Sequence, residues 1–230
     1  MTDQPPFQIK IVPVTPFQQN CSLIRAQSGA IAVVDPGGEV DRLIAEAEAW
    51  EGKIEKIWLT HGHLDHAGGA MELKEKTGAT IEGAQEEEVF WLSQISEQIK
   101  RFGTDMEAEN VTPDRWLDDG DTVELDGNIF EVIFTPGHTP GHIVFYNKAM
   151  KIAFVGDVLF KGSIGRTDFP RGDHPTLISS ITKKLWPLGD DITFVPGHGP
   201  LSTFGAERQS NPFVGDAVVG RAGANTQGPG

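Results

Sequence analysis

Runs of apolar residues alternate with polar stretches along the first half of the chain, and they predict strands separated by helices. Short runs rich in Val, Ile and Leu are typical of strands. Apolar residues spaced three or four apart, such as Val40, Leu43, Ile44 and Ala47, are typical of an amphipathic helix. The pattern predicts strands at 7–14, 21–26, 30–34, 54–59 and 80–82, and helices at 40–50, 67–77 and 86–102.

The second half of the chain predicts a hairpin, further strands and one helix. Asp126 and Gly127 separate two apolar runs by the two residues that most favour a tight hairpin turn. Asp173 precedes an apolar stretch of helical spacing and is a suitable helix cap. The predicted strands are 122–125, 128–134, 143–147, 152–155 and 192–195, the helix is 175–186, and residues 157–173 form a long loop, a feature that is usually functional.

The order of these elements predicts an α/β fold in one domain. Helices on the outside of two stacked sheets would place both halves of the chain in a four-layer αβ/βα sandwich. Nothing between the halves has the composition of a linker, so residues 1–212 are predicted to form a single domain. From Phe213 the composition shifts to Gly, Ala, Asn and Gln, which predicts a poorly ordered tail at 213–230.

Composition and charge narrow the class of protein. The 230 residues are 38% hydrophobic and 23% charged, with a net charge of −14, which disfavours nucleic acid and anionic membrane surfaces as partners. No apolar run approaches the ~20 residues that span a bilayer, and the first residues lack a signal-peptide pattern. The single cysteine, Cys21, allows no intrachain disulfide and no multi-cysteine metal site. A cytoplasmic location is the expectation.

The strongest chemical signal follows the predicted strand at 54–59. His61, His63, Asp65 and His66 place four candidate metal ligands within six positions. A chance cluster or a loose metal-binding run is the alternative, although the motif is internal, contains Gly62 and is followed by Gly68 and Gly69. Four ligands from one short loop cannot comfortably surround one tetrahedral ion. The spacing therefore suggests two neighbouring ions that need further ligands from elsewhere.

Three later positions share one local pattern, in which an apolar strand is followed by a glycine-containing turn and then by His or Asp. They are His138, Asp157 and His198. Each of them alone is more typical of a turn residue than of a ligand. Because loops at strand ends can converge at one edge of a sheet, the three together are candidate ligands that complete the first motif.

These residues carry a family resemblance. The ordered motifs from His61 to His198 resemble the metallo-β-lactamase superfamily over nearly the whole chain. Within that superfamily, the motif from Thr135 to His142 (TPGHTPGH) and the loop 162–173 (GSIGRTDFPRGD) are similar to short bacterial type II glyoxalases, also called hydroxyacylglutathione hydrolases. The resemblance implies the four-layer αβ/βα sandwich with metals at one sheet edge.

The resemblance also implies a ligand set and a mechanism. One divalent ion would be held by His61, His63 and His138, a second by Asp65, His66 and His198, and Asp157 would bridge them. A hydroxide between the two metals would attack a thioester such as S-lactoylglutathione, with Asp65 and Asp157 as the catalytic carboxylates and no Ser or Cys nucleophile. Zinc is the predicted metal, and iron and manganese suit the same donors.

Other residues are predicted to support this centre. His142 and Asp35 are expected to orient ligands or loops, and Arg166 is the candidate substrate-binding residue because a guanidinium suits carboxylates. In two-domain glyoxalases, Lys matches Arg166 and Tyr matches Asp168, and an acid there disfavours an anionic tripeptide. The 32 residues after His198 are too few for the family's C-terminal glutathione-binding domain, so tight glutathione recognition is not expected.

Two other functions compete with the hydrolase. Persulfide dioxygenases resemble the segment from Gly165 to Phe169 but use one iron on two His and one Asp, whereas this chain keeps every ligand of a two-metal site. The third reading is a metal-binding protein without catalysis. The expected partner is a small-molecule thioester, bound by a monomer or a small homo-oligomer.

Overall fold

Two β-sheets form the centre of the protein. The computed structural model describes residues 5–224, and their side chains as far as residue 220. The first sheet has the order β1 (Phe7–Val14), β2 (Gln19–Ala26), β3 (Ala30–Val34), β4 (Lys53–Leu59), β5 (Thr80–Gly83). The strands of the second sheet are β6 (Thr122–Leu125), β7 (Asn128–Phe134), β8 (Ile143–Asn147), β9 (Ile152–Gly156), β12 (Thr193–Pro196) and β13 (Ser202–Thr203), ordered β13-β12-β9-β8-β7-β6.

Helices and a small hairpin connect these strands. The hairpin pairs β10 (Leu159–Phe160) with β11 (Ser163–Ile164). The helices are α1 (Val40–Ala49), α2 (Leu64–Ala67), α3 (Ala70–Thr77), α4 (Val89–Leu92), α5 (Ile95–Phe102), α6 (His174–Ser180), α7 (Phe204–Ser210) and α8 (Asp216–Ala224). None of the described helices is long and apolar enough to cross a membrane.

Three layers of apolar side chains separate four layers of backbone. Trp58 of the first sheet packs against Phe130 and Phe145 of the second, with ring centroids 5.0 and 5.5 Å apart, so the two sheets face each other across one core. A second cluster joins the first sheet to α1, α3 and α5, and a third joins the second sheet to α6 and α7. The predicted four-layer αβ/βα sandwich is confirmed.

Strand direction explains why the chemistry gathers at one edge. β3, β4 and β5 run parallel to one another. In the second sheet, β7 and β9 are each antiparallel to β8, and β12 is parallel to β9, so these three also share one direction. A bond from the Ile143 amide to the Thr60 carbonyl, 3.0 Å long, links the sheets where these strands end. The loops after β3, β4, β7, β9 and β12 therefore meet.

Two predicted helices and the predicted loop have more internal structure than the pattern suggested. The stretch 86–102 is a 3-10 turn at Glu86–Glu88 followed by α4 and α5, and the stretch 175–186 passes from α6 into a π-helical turn at Ile181–Leu185. The 157–173 loop contains the β10–β11 hairpin. The Asp126-Gly127 hairpin and the Asp173 cap are confirmed, since Asp173 accepts a bond from the Thr176 amide.

The first residues of the predicted tail make contacts with the rest of the domain. Val214 is fully buried, and its carbonyl accepts a bond from the Trp186 indole. Arg208 of α7 forms an ion pair with Asp216 at the start of α8. Composition alone missed these long-range contacts, which attach α8 to α7. Residues 225–230 of the predicted tail lie outside the described residues.

Candidate metal centre

Three imidazoles form the first group of candidate ligands. His61 and His63 lie in the loop after β4, and His138 lies in the loop after β7. Nε2 of His61 and Nε2 of His138 are each 3.1 Å from Nδ1 of His63. Nitrogens that share a tetrahedral ion about 2.0–2.1 Å away lie roughly 3.4 Å apart, so the spacing suits one ion.

A second group lies beside the first. Asp65 and His66 are on α2, and His198 follows β12. Nε2 of His198 is 3.1 Å from Oδ2 of Asp65, and Nε2 of His66 is 3.8 Å from the same oxygen. His66 is fully buried, whereas Asp65 and His198 are half-buried. This group therefore borders the open side of the site.

Asp157, at the end of β9, lies between the two groups. Its Oδ2 is 3.7 Å from Nε2 of His138 in the first group and 3.8 Å from Nε2 of His198 in the second. Its Oδ1 is 3.3 Å from Nε2 of His66. The structure thus brings together all seven predicted ligands, and it gives Asp157 access to both groups.

Unsatisfied polar atoms support metal binding here. Among the described residues, Nε2 of His63, Nε2 of His66 and Oδ1 of Asp157 are buried without a hydrogen-bond partner. Buried polar atoms almost always have partners, because burying them unpaired costs free energy. Nε2 of His66 and Oδ1 of Asp157 lie 3.3 Å apart between the two groups, where a cation would satisfy both of them. Nε2 of His63 is across its ring from the Nδ1 atom that faces the first group. The residues present therefore fit two metal ions.

The electrostatics differ between the two groups. Burial, with the neighbouring imidazoles, holds the pKa of His61 well below its usual range and lowers that of His63 to about 3. Neutral imidazole is the form that binds a metal. Burial also opposes the charge of His66, but Asp157 and Asp65 outweigh it and raise its pKa. Because of those two carboxylates, the second group attracts positive charge.

Hydrogen bonds fix the ring orientations of the ligands. Nδ1 of His138 donates to the Arg166 carbonyl over 2.7 Å, and Nδ1 of His66 donates to Oδ2 of Asp35 over 2.9 Å. Both rings therefore present Nε2 to the site. Asp35 also accepts bonds from the amide and hydroxyl of Thr60, at 2.7 and 2.6 Å. These contacts are what the predicted orienting role of Asp35 requires.

Two glycines allow the loops to approach so closely. A Cβ at Gly197 would stand 2.2 Å from Oδ1 of Asp157 and 2.5 Å from Cε1 of His66. A Cβ at Gly37 would stand 1.6 Å from the Asp65 carbonyl oxygen. Any larger residue would displace the ligands, which explains the glycine beside the His198 position.

His142 is placed behind the ligands rather than among them. Its ring stacks on His61 with centroids 4.7 Å apart, and its Nε2 accepts the Asp157 backbone amide over 3.1 Å. That bond leaves Nδ1 protonated, where it faces the Thr135 hydroxyl at 3.3 Å. Nε2 is therefore already engaged, and these contacts would allow His142 to orient Asp157 and His61.

Replacing His142 tests this arrangement. We expect His142→Ala to lower metal affinity about 10–100-fold, the usual effect of removing a group that orients ligands, while two ions still bind at saturating metal. Titration against a competing chelator measures the affinity. The exposed His174 provides a matched control, His174→Ala. Equal affinity in the two variants would contradict the orienting role.

Glu88 is a candidate functional residue that the sequence analysis missed. It is fully buried, and its two carboxylate oxygens accept the backbone amides of Gly62 and Gly141, both over 2.8 Å. Burial raises the pKa of Glu88 to about 7, against the effect of the Thr139 hydroxyl and these amides. Glu88 thereby joins the loop of His61 and His63 to the loop of His138.

A cavity of about 370 Å³ opens over both groups. Arg166 lines it, but its side chain is 65% exposed and forms an ion pair with Asp168. Phe17 and Phe102 also line it, although nothing in the local sequence pattern marks either of them. They come from the β1–β2 turn and the end of α5, and only the tertiary fold brings them here.

Comparisons with known proteins agree with this geometry. The profile of the Metallo-beta-lactamase superfamily matches residues 14–198. Hydroxyacylglutathione hydrolase GloC of Haemophilus influenzae is 52% identical over 207 residues, covering 90% of this chain and 97% of that protein. Among solved structures, the BLEG-1 B3 metallo-beta-lactamase superposes with a TM-score of 0.83 at 32% identity, covering 90% of this chain and 99% of BLEG-1.

A di-iron-bound form of TTHA1623 is also similar. Its TM-score is 0.80 at 33% identity, and the match covers 89% of this chain and 99% of TTHA1623. The family profile, the extent of these matches and the assembled histidines and aspartates lead to one conclusion. The chain is a metallo-hydrolase, and it belongs to the metallo-beta-lactamase superfamily.

Proposed function

We propose that this protein hydrolyses a small 2-hydroxyacyl thioester such as S-lactoylglutathione, the reaction of type II glyoxalases. One observation carries the proposal, namely two adjoining His/Asp groups with Asp157 between them at the base of an open cavity. The name of the 52% identical relative supports the same reaction class.

The ligand roles follow the two groups. His61, His63 and His138 would hold one divalent ion, Asp65, His66 and His198 the other, and Asp157 would contact both. Bound metals would polarise the thioester carbonyl and make water acidic enough to supply hydroxide near neutral pH. Zinc is the proposed metal, and the nitrogen and oxygen donors also suit iron and manganese.

The protein's own side chains supply position and exclude other nucleophiles. Among the described residues that line the cavity there is no Ser, Thr or Cys. Cys21 is fully buried in β2, where burial raises the pKa of its thiol. Asp65, half-buried and facing the cavity, accepts from His198 and is the more exposed of the two carboxylates that line the cavity. Attack by water rather than by a side chain is therefore the mechanism that these residues support.

Activity and metal content together test the proposal. We expect zinc-loaded protein to contain nearly two ions per chain by mass spectrometry and to release free thiol from S-lactoylglutathione. One iron per chain, with oxygen consumption on glutathione persulfide, would instead indicate the dioxygenase. A fully metallated protein with neither activity would leave only a metal-binding role.

A further inference from the structure

The cavity over the two ligand groups has an apolar wall. It is formed by Phe17, Leu64, Phe102, Phe160 and Phe169. The rings of Phe17, Phe102 and Phe169 follow one another with centroids 6.0 and 6.5 Å apart. Phe169 in turn lies 5.2 Å from the His63 ring, so the wall reaches the candidate metal site.

Part of this wall is exposed although it is strongly apolar. Phe17 is 39% exposed and Phe102 is 42% exposed. By contrast, the aromatic rings that pack between the two sheets, such as Trp58 and Phe130, are buried. Apolar side chains that line a concave site bind apolar groups of a ligand, since such contact removes surface from water on both sides. The wall is therefore suited to an apolar part of the substrate.

Lysine and arginine contribute little to the lining of the cavity. Arg166 is the sole lysine or arginine among the lining residues that the structure describes. Its Nε and Nη2 each donate to a carboxylate oxygen of Asp168 over 2.9 Å, and its guanidinium lies 4.3 Å from the centre of the Phe169 ring. Asp168 therefore occupies the donor fork that a substrate carboxylate would need.

Long-range charge acts in the same direction. Glutathione carries two carboxylates and one ammonium, so its thioesters are anionic at neutral pH. The protein's net charge of −14 repels them, and the described lining of the cavity offers no unpaired lysine or arginine. Contacts with the charged thiol part of the substrate then contribute little to selectivity between substrates, and apolar contact with the acyl part provides most of it.

We propose that this pocket selects its substrates by an apolar, preferably aromatic, acyl group, and that Asp168 prevents Arg166 from recognising the carboxylates of the thiol. The substrate class is 2-hydroxyacyl thioesters with a bulky apolar acyl side chain, largely independent of the charge on the thiol. This inference rests on the proposed thioester hydrolysis.

Four thioesters test it in zinc-loaded protein. They combine two acyl groups, lactoyl and mandeloyl, with two thiols, glutathione and the uncharged N-acetylcysteamine. Rates are divided by those of alkaline hydrolysis, which removes intrinsic reactivity. We expect kcat/KM to rise about tenfold or more from lactoyl to mandeloyl. Changing the thiol should alter it by no more than about threefold, the scale of an exposed charge contact.

Single substitutions test which residues cause the preference for the apolar acyl group and the insensitivity to the charge of the thiol. Phe102→Ala should bring the ratio of kcat/KM for mandeloyl over lactoyl thioesters close to one, mainly through KM. Ile129→Ala is the control and should leave this ratio unchanged, because Ile129 is an apolar residue that is 55% exposed and lies outside the cavity. Asp168→Asn should raise kcat/KM several-fold for glutathione thioesters only, because Arg166 is released.

The outcomes separate the inference from the proposed function. Hydrolysis of lactoylglutathione as efficiently as of mandeloylglutathione, with a strong preference for glutathione over N-acetylcysteamine, would overturn the inference and leave the thioester hydrolase standing. Absence of hydrolysis with all four thioesters in fully metallated protein would overturn both. Unchanged ratios in Phe102→Ala and Asp168→Asn would reject the assignment to these residues.

Discussion

Asp157→Asn should lower thioester hydrolysis by about 10²- to 10⁴-fold, because removing one buried charge from a paired cluster costs roughly 3–5 kcal/mol. The amide keeps the size of the carboxylate but has one oxygen acceptor and no charge. In the native protein the two oxygens of Asp157 approach His138, His198 and His66, at 3.7, 3.8 and 3.3 Å. With its single oxygen, the amide cannot provide an acceptor to both ligand groups at once.

Metal content should change along with turnover in this variant. We expect Asp157→Asn to retain about one ion per chain after dialysis where the native protein retains about two. The fold should survive, because the Asp157 amide still donates to His142. Asp41→Asn is the matched control, since Asp41 lies on α1 with its side chain 87% exposed. Two retained ions with native turnover would reject the bridging position of Asp157.

The ligands could be predicted from the sequence because each has a local signal. His138, Asp157 and His198 all follow an apolar strand and a glycine, and strand direction then carries them to one edge. Local periodicity also identified the strands, since burial on a sheet face repeats along the chain. The crowding of four ligands between His61 and His66 suggested two ions, whereas the assignment of ligands to each ion came from the family resemblance.

Residues that act through long-range contacts had no such signal. Glu88 follows two other acids at the start of the predicted helix 86–102, a place where the helix dipole favours acids, so the local pattern did not distinguish it from its neighbours. The 3-10 turn at Glu86–Glu88 instead turns its side chain into the protein, towards Gly62 and Gly141. Phe17 and Phe102 were missed for the same reason, since the elements that carry them meet only in the folded chain.

Glu88→Gln should weaken both the fold and the metal site. The native carboxylate accepts an amide hydrogen at each oxygen, from Gly62 and from Gly141. A glutamine has one oxygen and one NH₂ group, so one of these backbone amides would face another donor. An unsatisfied buried donor costs about 1–3 kcal/mol, which thermal or denaturant unfolding of the metal-free protein measures.

The same change should also lower metal affinity, because Gly62 lies between His61 and His63 and Glu88 sets the position of that loop relative to the His138 loop. We expect a loss of about 10–100-fold in zinc affinity, measured by competition with a chelator. Glu87→Gln is the matched control. The neighbouring Glu87 side chain is 63% exposed, and its ion pair with Arg171 is long, at 3.9 Å. If both variants unfold at the native temperature and bind zinc equally well, Glu88 does not couple the two loops. A loss confined to Glu88→Gln would show that a buried carboxylate outside the ligand set determines how the two histidine loops meet.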